Sequence, residues 1–172
     1  MWLRMAMAVA IVSLCAGTAA AQTTATNAFT FSRATVPSDA GARGLLVGDF
    51  DNDGAPDFAT ANGTTNTVDV FMNREFAAGG FVVKRYTVGA GPFDIAAADF
   101  NFDGYADLVV AASDADEIDV LFGGPGGVFG APRRLSAPGN PRGVAADWLG
   151  SPAYGIVYSS YASGTVSTLN YD

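Results

Sequence analysis

Two nine-residue stretches set oxygen-bearing side chains at a spacing that suits a hard cation. Asp49-Phe-Asp51-Asn-Asp53-Gly54-Ala-Pro-Asp57 and Asp99-Phe-Asn101-Phe-Asp103-Gly104-Tyr-Ala-Asp107 share the pattern D-x-[DN]-x-D-G-x-x-D. Calcium takes six to eight oxygen ligands, and such a loop offers side chains at positions 1, 3, 5 and 9 with a backbone carbonyl at 7. The expected ligands are therefore Asp49, Asp51, Asp53, Asp57 and the carbonyl of Ala55 in the first loop. In the second they are Asp99, Asn101, Asp103, Asp107 and the carbonyl of Tyr105. About two Ca2+ per chain follow from this count. Position 12 carries Thr60 and Val110 rather than glutamate, and strands rather than helices flank the loops, so neither is an EF-hand. Asx-turns between strands would explain one or two such residues per loop, but not three or four crowded carboxylates without a counter-ion.

Other chemistry is poorly supplied. The chain has no histidine and a single cysteine, Cys15, in the N-terminal leader. That removes disulfides, Ser-His-Asp and Cys-His catalysis, and zinc held by nitrogen or sulfur, and leaves oxygen-ligated metals. Asp114, Asp116 and Glu117 read as a solvated turn rather than a glycosidase pair, so no catalytic residue is expected and the chain is read as no enzyme. A net charge of −8 opposes nucleic-acid binding, which must neutralise phosphates.

The elements that position the loops follow from a repeat. Copies begin at Asp49, Asp99 and Asp147, with Phe31, Phe81 and Phe129 eighteen residues before each and Gly41, Gly91 and Gly139 eight before. A period this long marks a propeller or similar array. The third copy keeps Asp147 but has Leu149 and Gly155 where ligands should stand, so it is expected to hold no metal. Within each copy, short apolar runs between turn residues predict four strands. The first precedes the acidic loop (44–48, 95–98, 143–146) and the second follows it (58–61, 108–112, 156–159). The third alternates as a half-buried strand does (Val68, Val70; Ile118, Val120; Val166, Thr168), and the fourth begins at the phenylalanines. Arg133-Arg134 and Lys84-Arg85 fall on that fourth strand, where charge discourages edge pairing.

The fold class expected is all-β: a β-propeller-like array of three four-stranded blades, over about 44–88, 94–136 and 142–172. The strand at 29–37 is out of phase and would complete the last blade, in cis or in trans. Residues 1–21, with Arg4 before an apolar run and Ala19-Ala20-Ala21 before Gln22, read as a cleaved signal peptide. Leu14 before Cys15 argues against a lipoprotein anchor. The mature chain, 22–172, is expected outside the cytoplasm, secreted or periplasmic, without membrane insertion.

The segments GDFDNDGAPDFATAN, ADFNFDGYADLVVAA and VFGAPRRLSAPGNPRGVAADW resemble the FG-GAP and VCBS-type repeat family, whose calcium-loop blades also occur in integrin α-subunit propellers. The resemblance implies four-stranded blades, calcium between strands one and two, a ring of seven, and adhesion, ligand recognition or scaffolding, with no common reaction. The partner expected is an extracellular protein or a glycan. Tyr105, Trp148, Tyr154, Tyr158 and Tyr161 are candidates to stack on sugar, against the alternative of packing between blades. Three copies are too few for an ordinary ring. Either two chains form a homodimer by exchanging strand Phe31 to Val36, or the chain is a piece of a larger propeller.

Overall fold

Each acidic loop joins two antiparallel strands, and each such hairpin grows outward into a twisted sheet. The computed structural model describes residues 35–74, 80–148 and 154–170. The first sheet has strands β1 (Ala42–Gly48), β2 (Asp57–Asn62), β3 (Thr67–Asn73) and β4 (Phe81–Thr87), paired in sequence order. The second repeats it with β5 (Pro92–Ala98), β6 (Asp107–Ala112), β7 (Glu117–Leu121) and β8 (Arg133–Ser136). The third has β9 (Pro141–Trp148), β10 (Tyr154–Ser160) and β11 (Thr165–Asn170), three strands among the described residues. These are the antiparallel sheets of propeller-like blades, as the sequence predicts, and Val36–Asp172 form one compact unit.

The sheets stack face to face. Ala59, Ala61, Val68, Val70 and Met72 of the first meet Ile95, Leu108, Val110 and Leu121 of the second in one core. On the other side of the second sheet, Val109, Ala111, Ile118 and Val120 meet Ile156, Tyr158, Val144 and Ala146 of the third in another. The second sheet therefore has both faces buried: all six residues of β6 are buried, and so are four of the five in β7. Val, Ile and Ala dominate there because a strand covered on both sides needs apolar side chains at successive positions.

Three expectations need correction. Asp69 and Asp119 lie between the alternating apolar residues, where a half-buried strand would turn them to solvent, yet both are fully buried: Arg85 and the Asp39 amide close over Asp69, and Asp119 lies on the face that docks on the first sheet and accepts the Gly89 amide. The fourth strand of the second sheet starts at Arg133, not Phe129. Gly130 and Pro132 interrupt the run, and the Phe129 ring instead plugs the first core, edge-on to Phe50 (6.0 Å) and Tyr86 (5.6 Å). Asp147 does not begin a loop. It pairs with Gly155 inside the β9–β10 ladder, where Gly48 and Ala98 stand in the other sheets opposite Asp57 and Asp107. The third hairpin is thus one residue out of step with the other two. The basic pairs lie on the edge strands β4 and β8, as expected, and the first also makes contacts of its own: Arg85 binds Asp69 and Asp39, and Lys84 donates to the carbonyls of Gly126 and Gly127. The expected leader 1–21 and strand Phe31 to Val36 lie outside the described residues, save Thr35 and Val36, which belong to no strand.

Candidate metal centre

Both acidic loops fold as the glycine predicts. Gly54 and Gly104 have φ of 86°, a left-handed conformation, with open space where a Cβ would stand, so backbone geometry rather than crowding calls for glycine. Asn52 (φ 60°) and Phe102 (φ 58°) are left-handed as well, a requirement the motif does not reveal. In the first loop, Asp49 accepts the amides of Asp53 (3.2 Å) and Gly54 (3.0 Å), and Asp53 accepts that of Ala55 (2.8 Å). In the second, Asp99 accepts those of Asp103 (3.2 Å) and Gly104 (2.9 Å), and Asp103 that of Tyr105 (2.9 Å). Asn52 Nδ2 donates to the Gly104 carbonyl at 2.9 Å, which sets the loops side by side.

The last acid of each motif is a clasp. Asp57 is wholly buried and accepts the amides of Phe50 (3.0 Å) and Asn73 (2.7 Å), tying the loop to the end of β3. Asp107 does the same with Phe100 (2.8 Å) and Gly123 (2.8 Å). Burial pushes both carboxyls above the ordinary value. Their two backbone donors pull the other way, and the negative charges of Asp51 and Asp53, or of Asp103 and Asp99, add to the rise. A carboxylate oxygen with one amide donor keeps a second lone pair for a cation.

In the first loop Asp49, Asp51 and Asp57 each bring a carboxylate oxygen within 4.8 Å of the others, the one such group of three acids among the described residues. Asp53 turns partly aside: Arg74 Nη1 reaches its Oδ2 at 3.1 Å and also binds Asp51. Fifty residues on, where the second sheet would carry the matching arginine, stands Gly124. There Asn101 Nδ2 donates to Asp103 Oδ2 at 2.9 Å instead. Residues 55 and 105 lie in their loops, Ala55 among the loop bends and Tyr105 half-buried. The donor set, all hard oxygens around a buried negative charge, fits calcium.

The motif's second residue carries more than its "x" suggests. Phe50 and Phe100 are each 1 % exposed and anchor the loops in the two cores. Their common aromatic identity in both copies was the available signal. Of the aromatics considered for sugar stacking, Tyr158 is core, packed between the second and third sheets. Tyr161 is exposed, with the Arg142 guanidinium 3.8 Å from its ring centre. The side chains of Trp148 and Tyr154 and residues 149–153 lie outside the described set.

Residues 49–110 match the model of an FG-GAP-like repeat, and residues 91–131 match that of the FG-GAP repeat. No curated protein matches the chain.

Proposed function

Since this chain is an FG-GAP-type repeat protein, its matched repeats spanning both acidic loops, we propose that it is a calcium-stabilised, non-catalytic binding, adhesion or scaffold module working outside the cytoplasm. The observation that carries the reading is the convergence of Asp49, Asp51 and Asp57 around a buried carboxylate. Bound calcium supplies neutralising positive charge at the loops. The chain's own residues fix the loops by clasping backbone amides and anchoring Phe50 and Phe100 in the cores. Such a rigid rim is a platform for recognition, in keeping with repeats typical of extracellular proteins. No described helix is long and apolar enough to cross a membrane.

Calorimetric titration of the purified protein with Ca2+ tests this. About two ions per chain should bind, and Asp53→Ala and Asp103→Ala should each remove one. Unchanged stoichiometry in both variants defeats the calcium assignment. Excess EDTA should lower Tm, because a ligand specific to the folded state adds about 2.7 kcal/mol at a hundred times Kd.

A glycan-binding role is the second reading. It is favoured by a row in which the exposed Arg43 and Arg142 each sit 5.2 Å from the ring centre of half-buried Phe93, with exposed Tyr161 beyond. A glycan panel probed with the wild type and Tyr161→Ala checks it. Retention of one glycan class, lost in the variant, would favour this reading.

A further inference from the structure

The interface that joins neighbouring sheets repeats position by position, and its register shows a partly covered copy on the first sheet. The second sheet docks on the first through Ile95, Ala97, Leu108, Val110 and Leu121. Within it Ile95 pairs with Val110, Ala97 with Leu108, and Leu108 with Leu121. The third sheet docks on the second through Val144, Ala146, Ile156, Tyr158 and Leu169, paired in the same order. In the first sheet the identical pairings fall on Leu45, Val47, Phe58, Thr60 and Phe71, of which Thr60 and Phe71 are buried and Phe58, stacked on Phe71, is half-buried. Ser38 and Asp39 cover one end of that face, where Ser38 bonds Thr60 and Asn62 and the Asp39 amide bonds Asp69. The other end is bare: Leu45 and Val47 are each 65 % exposed and, with Pro56, Asp57 and Phe58, line an open groove of about 380 Å³.

The complementary surface sits at the far end of the chain. The faces that receive the next sheet are Ala59, Ala61, Val68 and Val70 in the first sheet and Val109, Ala111, Ile118 and Val120 in the second. Their counterparts in the third are Val157, Ser159, Val166 and Thr168, with Val166 71 % exposed. β11 is the edge of that sheet among the described residues, where each of the first two sheets has a fourth strand. β5 lies between β1 and β9, so the two bare faces belong to opposite ends of the stack.

We propose that the bare face of the first sheet docks the third sheet of a second copy of this chain, extending the internal interface head to tail. The same surfaces that join sheets within the chain then join chains. A heterologous contact of this kind closes when the rotation allows and otherwise propagates. The continuity with an existing interface selects a second copy over an unrelated partner. The two apolar side chains that remain on the receiving face, Val157 and Val166, stand where Ala59 or Val109 and Val68 or Ile118 receive a sheet inside the chain.

Light scattering after size exclusion on the full protein is the test, with Val47→Asp and Val166→Asp as variants at exposed positions whose folding is checked by circular dichroism. Wild type should have twice or a higher multiple of the chain mass, and each variant alone should fall to one chain. An equimolar mixture of the two should reassemble, since one partner keeps its first-sheet face and the other its third-sheet face. A wild type of single-chain mass at every attainable concentration overturns the proposal and leaves the face to the chain's own preceding residues. An assembly whose mass neither variant changes overturns it in favour of another surface.

Discussion

The first and second sheets share four acids at a fifty-residue offset (Asp49 and Asp99, Asp53 and Asp103, Asp57 and Asp107, Asp69 and Asp119), with Asn101 in place of Asp51, but surround them differently. In the first, Arg74 binds Asp51 and Asp53, while Arg85 and the Asp39 amide close around Asp69. In the second, Gly124 replaces Arg74 and Gly89 replaces Asp39. Asp119 accepts the Gly89 amide at 2.6 Å, but its Oδ1 has no hydrogen-bond partner. Arg134, opposite Asp119 in the ladder as Arg85 is opposite Asp69, leans toward Glu117 with Nε at 3.9 Å. The strand acid of the first sheet is thus met directly by a guanidinium, and that of the second is not: a repeated motif sets where the acids lie but not which groups meet them.

The comparison breaks most visibly at the clasps, where the two sheets should behave alike. Asp57→Ala and Asp107→Ala each orphan two backbone amides, and each should cost about 3 kcal/mol in denaturant unfolding. A large difference between them would mean that one loop is held by something other than its clasp. The strand acids should then separate the sheets. Asp69→Asn removes the charge that Arg85 meets and should destabilise by about 1–2 kcal/mol at neutral pH. Asp119→Asn relieves an uncompensated buried charge and should be neutral or stabilising under the same conditions.

Their pH dependence should also run in opposite directions. Burial raises the Asp119 carboxyl above 3.8, with Glu117 adding to the rise and the Gly89 amide and Arg134 opposing it. The folded state therefore binds this proton more tightly than the unfolded chain does. The contribution is present at low pH and is lost as pH rises through the elevated value. At Asp69 burial is outweighed by Arg85 and the Asp39 amide, and the carboxyl lies below 3.8. Its contribution is present above that value and fades as pH falls through the lowered one. Stability measured against pH should lose the first trend in Asp119→Asn and the second in Asp69→Asn. The smallest effect belongs to Arg74→Ala: freeing Asp51 and Asp53 should tighten Ca2+ at the first loop several-fold and leave the second unchanged, as read by titration.

Much of this architecture was legible in the sequence, because strand, loop and turn are local properties. The acidic motif located both hairpins, and the glycines at 41, 91 and 139 all take positive φ. What stayed hidden depends on groups brought together from afar. Alternation around Asp69 and Asp119 describes one strand and cannot reveal that Asp39 and Arg85 close over Asp69, or that the first sheet lies against the face that carries Asp119. The Phe129 spacing matched Phe81, but spacing alone does not distinguish a strand start from a ring turned into the core ahead of a strand. At Asp147 the matching letter hid a one-residue change in pairing, which only the ladder discloses.

The burial of the second sheet on both faces has a consequence in time. The amides of β6 and β7 lie between two separate cores, so they can exchange with solvent only when a neighbouring sheet has already come away. β11, the edge strand of its sheet among the described residues and mostly exposed, can open by itself. The molecule should therefore unravel in sequence from its C-terminal sheet inward, and the hydrogens of Val109 and Val110 should be among the last to leave.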